Sequence, residues 1–255
     1  MSSVIEIGGE RFEVVSDLHT HTRYSHGRGS IEDNVKAAVS KGLKTIGISD
    51  HGPGHVVFGV SRKKLAEMKA EIQRLRRIYE DIEILFGIEA NILVPGGILD
   101  VRPDEYDYFD FICAGWHFGA IEGVTASGVG NTFSNFARGS YENATRKQIK
   151  MNTDAVVNVV KTGGVKFLTH PGQRAPIDLL EVAAVCASHG TLLEINTSHM
   201  TLTPADLLAM ADVGARFIIN SDAHKPGRIG DFLPAEKLLN DAGLDPSLVE
   251  NLRKM

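Results

Sequence analysis

The chain has 255 residues, 27 Lys+Arg against 32 Asp+Glu and a formal net charge of −5. Hydrophobic residues at 43% and charged residues at 23% are an ordinary globular composition, which excludes intrinsic disorder and supplies enough apolar side chain for a large core. The acidic balance argues against a dedicated nucleic-acid binder, and no apolar run approaches the roughly 18 residues a membrane helix needs.

In chain order, the first predicted strand is FEVVSDLHTH (12–21). A helix over 30–41 opens on Ser30, with Asp33 three residues on, and stops at Gly42. TIGISDH (45–51) follows as a strand, then a helix over 62–80 with Leu65, Met68, Ile72, Leu75 and Tyr79 on one face. The strands EILFGIEANI (83–92) and FDFICAGWHF (109–118) come next. Residues 119–149, rich in Gly, Ser and Asn, read as a long loop inserted over the mouth, carrying Phe133, Phe136, Tyr141, Arg138, Arg146 and Lys147 as candidate lid residues. Helices over 151–162, 177–189, 204–213 and 234–242, closed by Gly163, Gly190, Gly214 and Gly243, then alternate with the strands VKFLTHP (165–171), TLLEINTSH (191–199) and RFIINSDAH (216–224).

Seven strand–loop–helix repeats predict a parallel α/β architecture, either an open sheet or a closed barrel. No glycine-rich phosphate loop follows any strand, so nucleotide cradling of that kind is not expected. Cys113 and Cys186 have no paired spacing, and the N-terminal MSSVIEIGGERFEVV lacks the basic and apolar regions of a secretory signal. A cytoplasmic setting is expected.

The histidines decide between sheet and barrel. His19 and His21 lie in DLHTH, His51 in ISDHG, Glu89 in GIEAN, His117 in AGWHF, His170 in LTHPG, and Asp222 and His224 in NSDAH; His26 follows in HTRYSHG. In a β/α barrel the C-terminal strand ends share one mouth, so these nine residues become neighbours. Alternate strand residues share a face, which lets an H-x-H pair hold one ion. Imidazole with carboxylate suits zinc, iron or manganese better than calcium. Taken singly, His117 reads as a satisfied core residue and Glu89 as a surface or salt-bridged carboxylate, but nine ligand-type residues at strand ends are not independent accidents.

At these residues the chain resembles the PHP family, named for polymerase and histidinol phosphatase, with DLHTH, SDHG, GIEANI, AGWH, THPG, LEINTS and NSDAH in the family's order. It looks most like the stand-alone bacterial phosphatases. The resemblance implies one distorted (β/α)7 TIM-like barrel domain over residues 1–255 with three divalent metal ions at its mouth, zinc first, manganese or iron as alternatives. One ion would take His19, His21, Glu89 and Asp222; the second would share Glu89 and add His117 and His170; the third would take His26, His51 and His224. Two departures stand out: the His21–His26 spacing is one residue shorter than in the closest phosphatases, and the His117–His170 segment is longer.

The implied activity is metal-dependent hydrolysis of small phosphomonoesters, histidinol-phosphate-like or related, with Glu89, Asp222 and His224 as catalytic residues. Arg23, Arg138, Arg174 and Arg228 are candidate phosphate contacts, because guanidinium matches phosphate bidentately. Asp17 and Asp50 are candidates to orient the imidazoles, Ser25 is read as structural, His55 and His199 as pocket-lining and His189 as a helix-end group. The partners expected are a small phosphorylated substrate and a second copy of the chain, with no membrane and no long nucleic acid. A PHP-type nucleotide phosphodiesterase or exonuclease is the alternative; an amidohydrolase would bring a lysine bridge where Glu89 stands, and a non-catalytic module would have lost ligands.

Overall fold

The structure is a computed structural model, described for residues 3–94, 96–120, 135, 137 and 139–255. The chain enters through an antiparallel hairpin, β1 (Val4–Ile7) and β2 (Glu10–Val14), turned by Gly8 and Gly9 at φ 59° and 81°. Such positive φ values carry little steric cost for glycine. It then crosses into β3 (Ser16–Asp17), α1 (Ile31–Lys41), β4 (Thr45–Ile48), α2 (Arg62–Arg76), β5 (Glu83–Leu93), the short β6 (Ile98–Leu99) and β7 (Phe111–Gly115). There follow α3 (Arg146–Thr162), β8 (Val165–Leu168), α4 (Leu179–His189), β9 (Leu192–Asn196), α5 (Pro204–Asp212), β10 (Phe217–Asn220), α6 (Leu233–Ala242) and β11 (Leu252–Lys254).

Seven strands are hydrogen-bonded in the order β10-β9-β8-β7-β5-β4-β3, all parallel. The two ends of this sheet meet just past the strands. His21 N–H donates to Ala223 O at 2.9 Å and Ala223 N–H to His19 O at 3.2 Å. Side chains complete the seam: Asn220 Oδ1 accepts from Leu18 N–H at 2.8 Å, and Asp17 Oδ1 from Ser221 N–H at 3.0 Å. The result is a nearly closed seven-stranded barrel, the distorted TIM-like form expected.

The barrel floor is apolar, built from Leu18, Phe111, Cys113, Phe167, Leu192 and Ile218 with Leu85 against them. The Phe111 and Phe167 rings stack with centroids 6.0 Å apart. Gly47 and Gly87 make room for Phe111, since a Cβ at either would run into its ring. A second, larger apolar layer packs the helices on the outside of the strands, with Val35, Ala38, Met68, Ile72 and Leu75 fully buried in it.

Several boundaries differ from the sequence reading: the strands end before the last residues of the runs 45–51, 109–118, 165–171, 191–199 and 216–224, and three further elements change their bounds. The run 12–21 is two strands, because the chain changes partner at Val15, whose N–H donates to Asn251 O. Phe12 and Val14 serve the small sheet β1-β2-β11; the residues after them serve the barrel. Helix α3 begins at Arg146, capped by Thr145 accepting from Gln148 N–H, a polar first turn that carries no apolar period. Helix α2 ends at Arg76 rather than 80. The Ser30–Asp33 capping box of α1 is present on both sides. Of the expected insertion 119–149, residues 121–134, 136 and 138, including Phe133, Phe136 and Arg138, lie outside the described residues.

Candidate metal centre

All nine candidate ligands come together at the C-terminal mouth. Three overlapping groups have ligand atoms within 4.8 Å of one another: His19, His21 and Asp222; His51, Glu89 and His117; and His21, His26 and His51. Glu89, buried on β5, lies at the centre. Its Oε1 is 3.3 Å from His19 Nε2, 3.2 Å from His117 Nε2 and 3.1 Å from His170 Nε2. Its Oε2 is 3.0 Å from His51 Nδ1 and 3.6 Å from His21 Nε2. Asp222 Oδ1 is 3.2 Å from His21 Nε2 and 3.6 Å from His19 Nε2. Most of these side chains project from loops just beyond the strands. His170 and Asp222 take φ values of 28° and 50° there, a conformation that costs a non-glycine residue energy and tends to cluster at functional sites.

Imidazole nitrogens face each other in three pairs. His19 Nε2 and His21 Nε2 are 3.2 Å apart, His117 Nε2 and His170 Nε2 3.3 Å, and His224 Nε2 and His26 Nε2 2.5 Å. One member of each pair has its ring proton fixed on the far side. His19 Nδ1–H donates to Glu194 Oε1 at 2.8 Å, His117 Nδ1–H to Asn91 Oδ1 at 2.9 Å, and His224 Nδ1–H to the Asp222 carbonyl at 2.9 Å. Each of these bonds leaves the Nε2 lone pair directed inward, which is how ligating histidines are commonly held.

The electrostatics are those of a cation site. Burial alone would raise the Glu89 carboxyl, yet the His117, His19 and His51 imidazoles hold it well below the usual range. Asp222 is held low against burial by His19 and His21. Burial pushes His21 and His26 down to about 3 and His51 well below its ordinary value. His19 runs the other way: burial opposes it, but Asp222, Glu89 and Glu194 raise it well above normal. Burial likewise opposes His170, which the Glu89 carboxylate lifts.

A cleft of about 350 Å³ opens over this cluster, walled by His55, Phe58, Trp116, Phe118, Gln173, Arg174 and His199. That is room for a small molecule.

The PHP domain family matches residues 17–198. The chain belongs to the PHP domain family. A protein of Shewanella sediminis named as a probable phosphatase is 31% identical over 241 residues, covering 89% of this chain and 85% of its own. A probable phosphatase of Thermoanaerobacter sp. is 29% identical, covering 94% and 91%. Among solved structures, the histidinol phosphate phosphatase of Lactococcus lactis, complexed with zinc, L-histidinol and phosphate, superposes with a TM-score of 0.62 at 18% identity, over 90% of this chain and 94% of that one. That likeness carries the fold. The expectation of a hydrolase of this family holds.

Outside the nine candidate ligands the sequence reading fares unevenly. His55 and His199 line the cleft as expected, His199 Nε2 standing 3.7 Å from Asp222 Oδ2. Among the four arginines, Arg174 lines it at φ 53°; Arg23 and Arg228 do not, and Arg228 is engaged by Asp231. Tyr141 is seated against Gly172, its hydroxyl accepting from Ile177 N–H at 3.4 Å, not over the histidine cluster. Asp17 and Asp50 were expected to orient imidazoles; both bind other groups. Asp50 accepts from Thr22 N–H and from the Thr22 and Ser25 hydroxyls, which braces the loop to His26 and gives Ser25 its structural place. Asp17 accepts from Ser221 and Gly230 N–H. The orienting groups are instead Glu194 and Asn91, with Asp100 behind Asn91 accepting from its backbone N–H at 2.8 Å and also from Gly54 N–H at 2.8 Å. Among the described residues, no helix is long and apolar enough to cross a membrane.

Proposed function

We propose that the chain, as a single barrel domain over residues 1–255, hydrolyses small phosphomonoesters at a centre of three divalent ions. The observation that carries the reading is the three pairs of facing imidazole nitrogens gathered around Glu89 and Asp222. The fit rests on spacing. A tetrahedral site with ligand bonds of about 2.0–2.2 Å has edges of about 3.3–3.6 Å. His19, His21 and Asp222 stand 3.2–3.6 Å apart, and Glu89, His117 and His170 3.1–3.3 Å. Buried inward-facing atoms without a hydrogen-bond partner point the same way: His51 Nδ1, Glu89 Oε2 and Asp222 Oδ1. His19, His21, Glu89 and Asp222 would hold one ion; Glu89, His117 and His170 the second; His26, His51 and His224 the third. Zinc, manganese and iron all suit this donor set.

When bound, such ions supply Lewis-acid charge for phosphoryl oxygens and lower the pKa of water toward about 7. The chain's own residues do the rest. Glu89 spreads one negative charge over two loci. Asp222 Oδ2 accepts from Asn196 Nδ2–H at 3.1 Å, and His224 Nδ1–H donates to the Asp222 carbonyl, contacts that would orient both side chains as ligands. Arg174, on the cleft wall, is placed to meet a phosphate oxygen. Phe58, Trp116 and Phe118 shape the space left for the alcohol half of the ester and displace water from it.

Histidinol phosphate, named in the Lactococcus neighbour, is one substrate to try, alongside nucleoside monophosphates and other small esters. Phosphodiester cleavage is the second reading, since the same donor set serves either reaction. Purified protein is expected to carry close to three divalent ions, to lose hydrolysis on chelation and to regain it with zinc, manganese or iron. Turnover of any phosphoester by demonstrably metal-free protein would overturn the proposal, and a panel of mono- and diesters separates the two readings.

A further inference from the structure

Glu194 belongs to none of the three proposed loci, yet it is fully buried on β9, directly below them. Its two oxygens take four hydrogen bonds. Oε1 accepts from His19 Nδ1–H at 2.8 Å and from Asn220 Nδ2–H at 3.0 Å. Oε2 accepts from the His170 backbone N–H at 2.7 Å and from Asn196 Nδ2–H at 2.8 Å. Asn196 passes the contact on by donating to Asp222 Oδ2 at 3.1 Å, and Asn220 Oδ1 holds Leu18 N–H across the barrel seam. One carboxylate thus touches or braces His19, His170 and Asp222, which come from three different strand ends.

We infer that Glu194 is a positioning residue of the metal centre, an acceptor-only clamp that keeps the His19 ring proton on Nδ1 and so keeps Nε2 free to bind a cation. The inference rests on the metal-centre reading above and adds to it a residue that touches neither ion nor substrate. The chemistry follows from the partners: all four are donors, so both oxygens must accept. Glutamine cannot do this. If its amide nitrogen faced His170, it would oppose a backbone N–H that has no way to reverse. If it faced His19, it would become the donor, Nδ1 the acceptor, and the ring proton would move to Nε2, the nitrogen that looks at Glu89 and Asp222. The second arrangement is the one the site can absorb, and it blocks a ligand atom without removing a side chain. Asn220 cannot relieve it by turning over, because its oxygen is committed to Leu18.

The test is a cycle of variants of the full chain, loaded with zinc and read by chelator competition. Glu194→Gln is expected to weaken one zinc equivalent by about 10–100-fold, the range found for such outer hydrogen-bond partners. In a His19→Ala background the same change should cost nothing further, because its target is gone. Unchanged zinc affinity in Glu194→Gln, or an equal loss with and without His19, overturns the inference; the latter marks a merely structural role. Should the variant fail to fold, the zinc-loaded wild type with ¹⁵N-labelled imidazoles decides instead. The His19 signals should show a slowly exchanging Nδ1–H and a coordinated Nε2, and a proton on Nε2 overturns the inference. If the wild type takes up no zinc, manganese or iron, the metal-centre proposal itself fails, and a result of that kind is distinct from every variant outcome.

Discussion

Replacing Glu89 with glutamine changes one atom and tests the centre at its most shared point. The side chain is buried, with Oε1 at 3.1–3.3 Å from three imidazole nitrogens and Oε2 at 3.0 Å from a fourth. The amide keeps one acceptor, turns the other position into a donor aimed at an imidazole, and removes the charge that offsets neighbouring cations. Breaking a buried charge pair by removing one partner costs about 3–5 kcal/mol, and each 1.4 kcal/mol is a factor of ten. Divalent-ion affinity should therefore fall by a factor on the order of 10² to 10⁴, and phosphoester turnover with it. His224→Ala should lose less, because His224 is 30% exposed and serves one locus at the edge of the cluster. Chelator competition with zinc measures the affinity, circular dichroism confirms the fold, and a phosphomonoester assay follows turnover. If Glu89→Gln keeps its metal and most of its turnover, the bridging role is wrong.

Metal uptake should release protons. Burial lowers His19 in the metal-free protein, but Asp222, Glu89 and Glu194 together raise it above its ordinary value, so any proton they hold on Nε2 must leave before that nitrogen can bind. Affinity should accordingly climb with pH through that raised value; calorimetric titration in two buffers of different ionisation enthalpy reads the release, and identical heats would refute it. Gly87→Ala should lower thermal stability by about 1–3 kcal/mol through overpacking, since its Cβ would strike the Phe111 ring; an unchanged melting temperature would mean the floor can yield. Glu105 is pushed down to about 2, chiefly by its hydrogen bond with Arg62. A depressed carboxylate stabilises the fold above its ordinary value of 4.5 and loses that contribution as pH falls toward 2. Solvent screening keeps it under about 1 kcal/mol, so Glu105→Gln should narrow the difference in melting temperature between pH 7 and pH 3, and a difference identical to wild type would count against it.

That nine candidate ligands would gather at one place was legible in the sequence because the signal is chemical: imidazoles and carboxylates recur where short β-rich runs end, and a closed barrel gathers strand ends at one mouth. The outer groups were not. Asp17 and Asp50, adjacent in sequence to His19 and His51 or close to them, looked like their partners, but hydrogen bonds follow space rather than adjacency, and the true partners come from other strands: Glu194 lies 175 residues from His19 and Asn91 lies 26 from His117. Nor could the run 12–21 reveal that it serves two sheets, since no Gly or Pro interrupts it and only the change of partner at Val15 divides it.

Strand β5 explains why the sequence pattern was visible while its meaning was hidden. Its alternate residues Leu85, Gly87, Glu89 and Asn91 share one face by the period of two. In an open sheet that face would read as half solvated. Closed into a barrel, it becomes a column: Leu85 joins the apolar floor, Gly87 leaves room for Phe111, Glu89 stands among the imidazoles and Asn91 fixes His117. Strand β9 repeats the column with Leu192 in the floor, Glu194 under His19 and Asn196 beside Asp222. Polarity therefore rises from floor to mouth along each of these strands. A buried Glu194 or Asn91 is tolerable only because it is fully hydrogen-bonded, mostly to groups brought in from other strands and loops. The same requirement ties the candidate metal site to barrel closure: His19 is held from β9, and the Asp222 that faces it comes from the strand end across the seam.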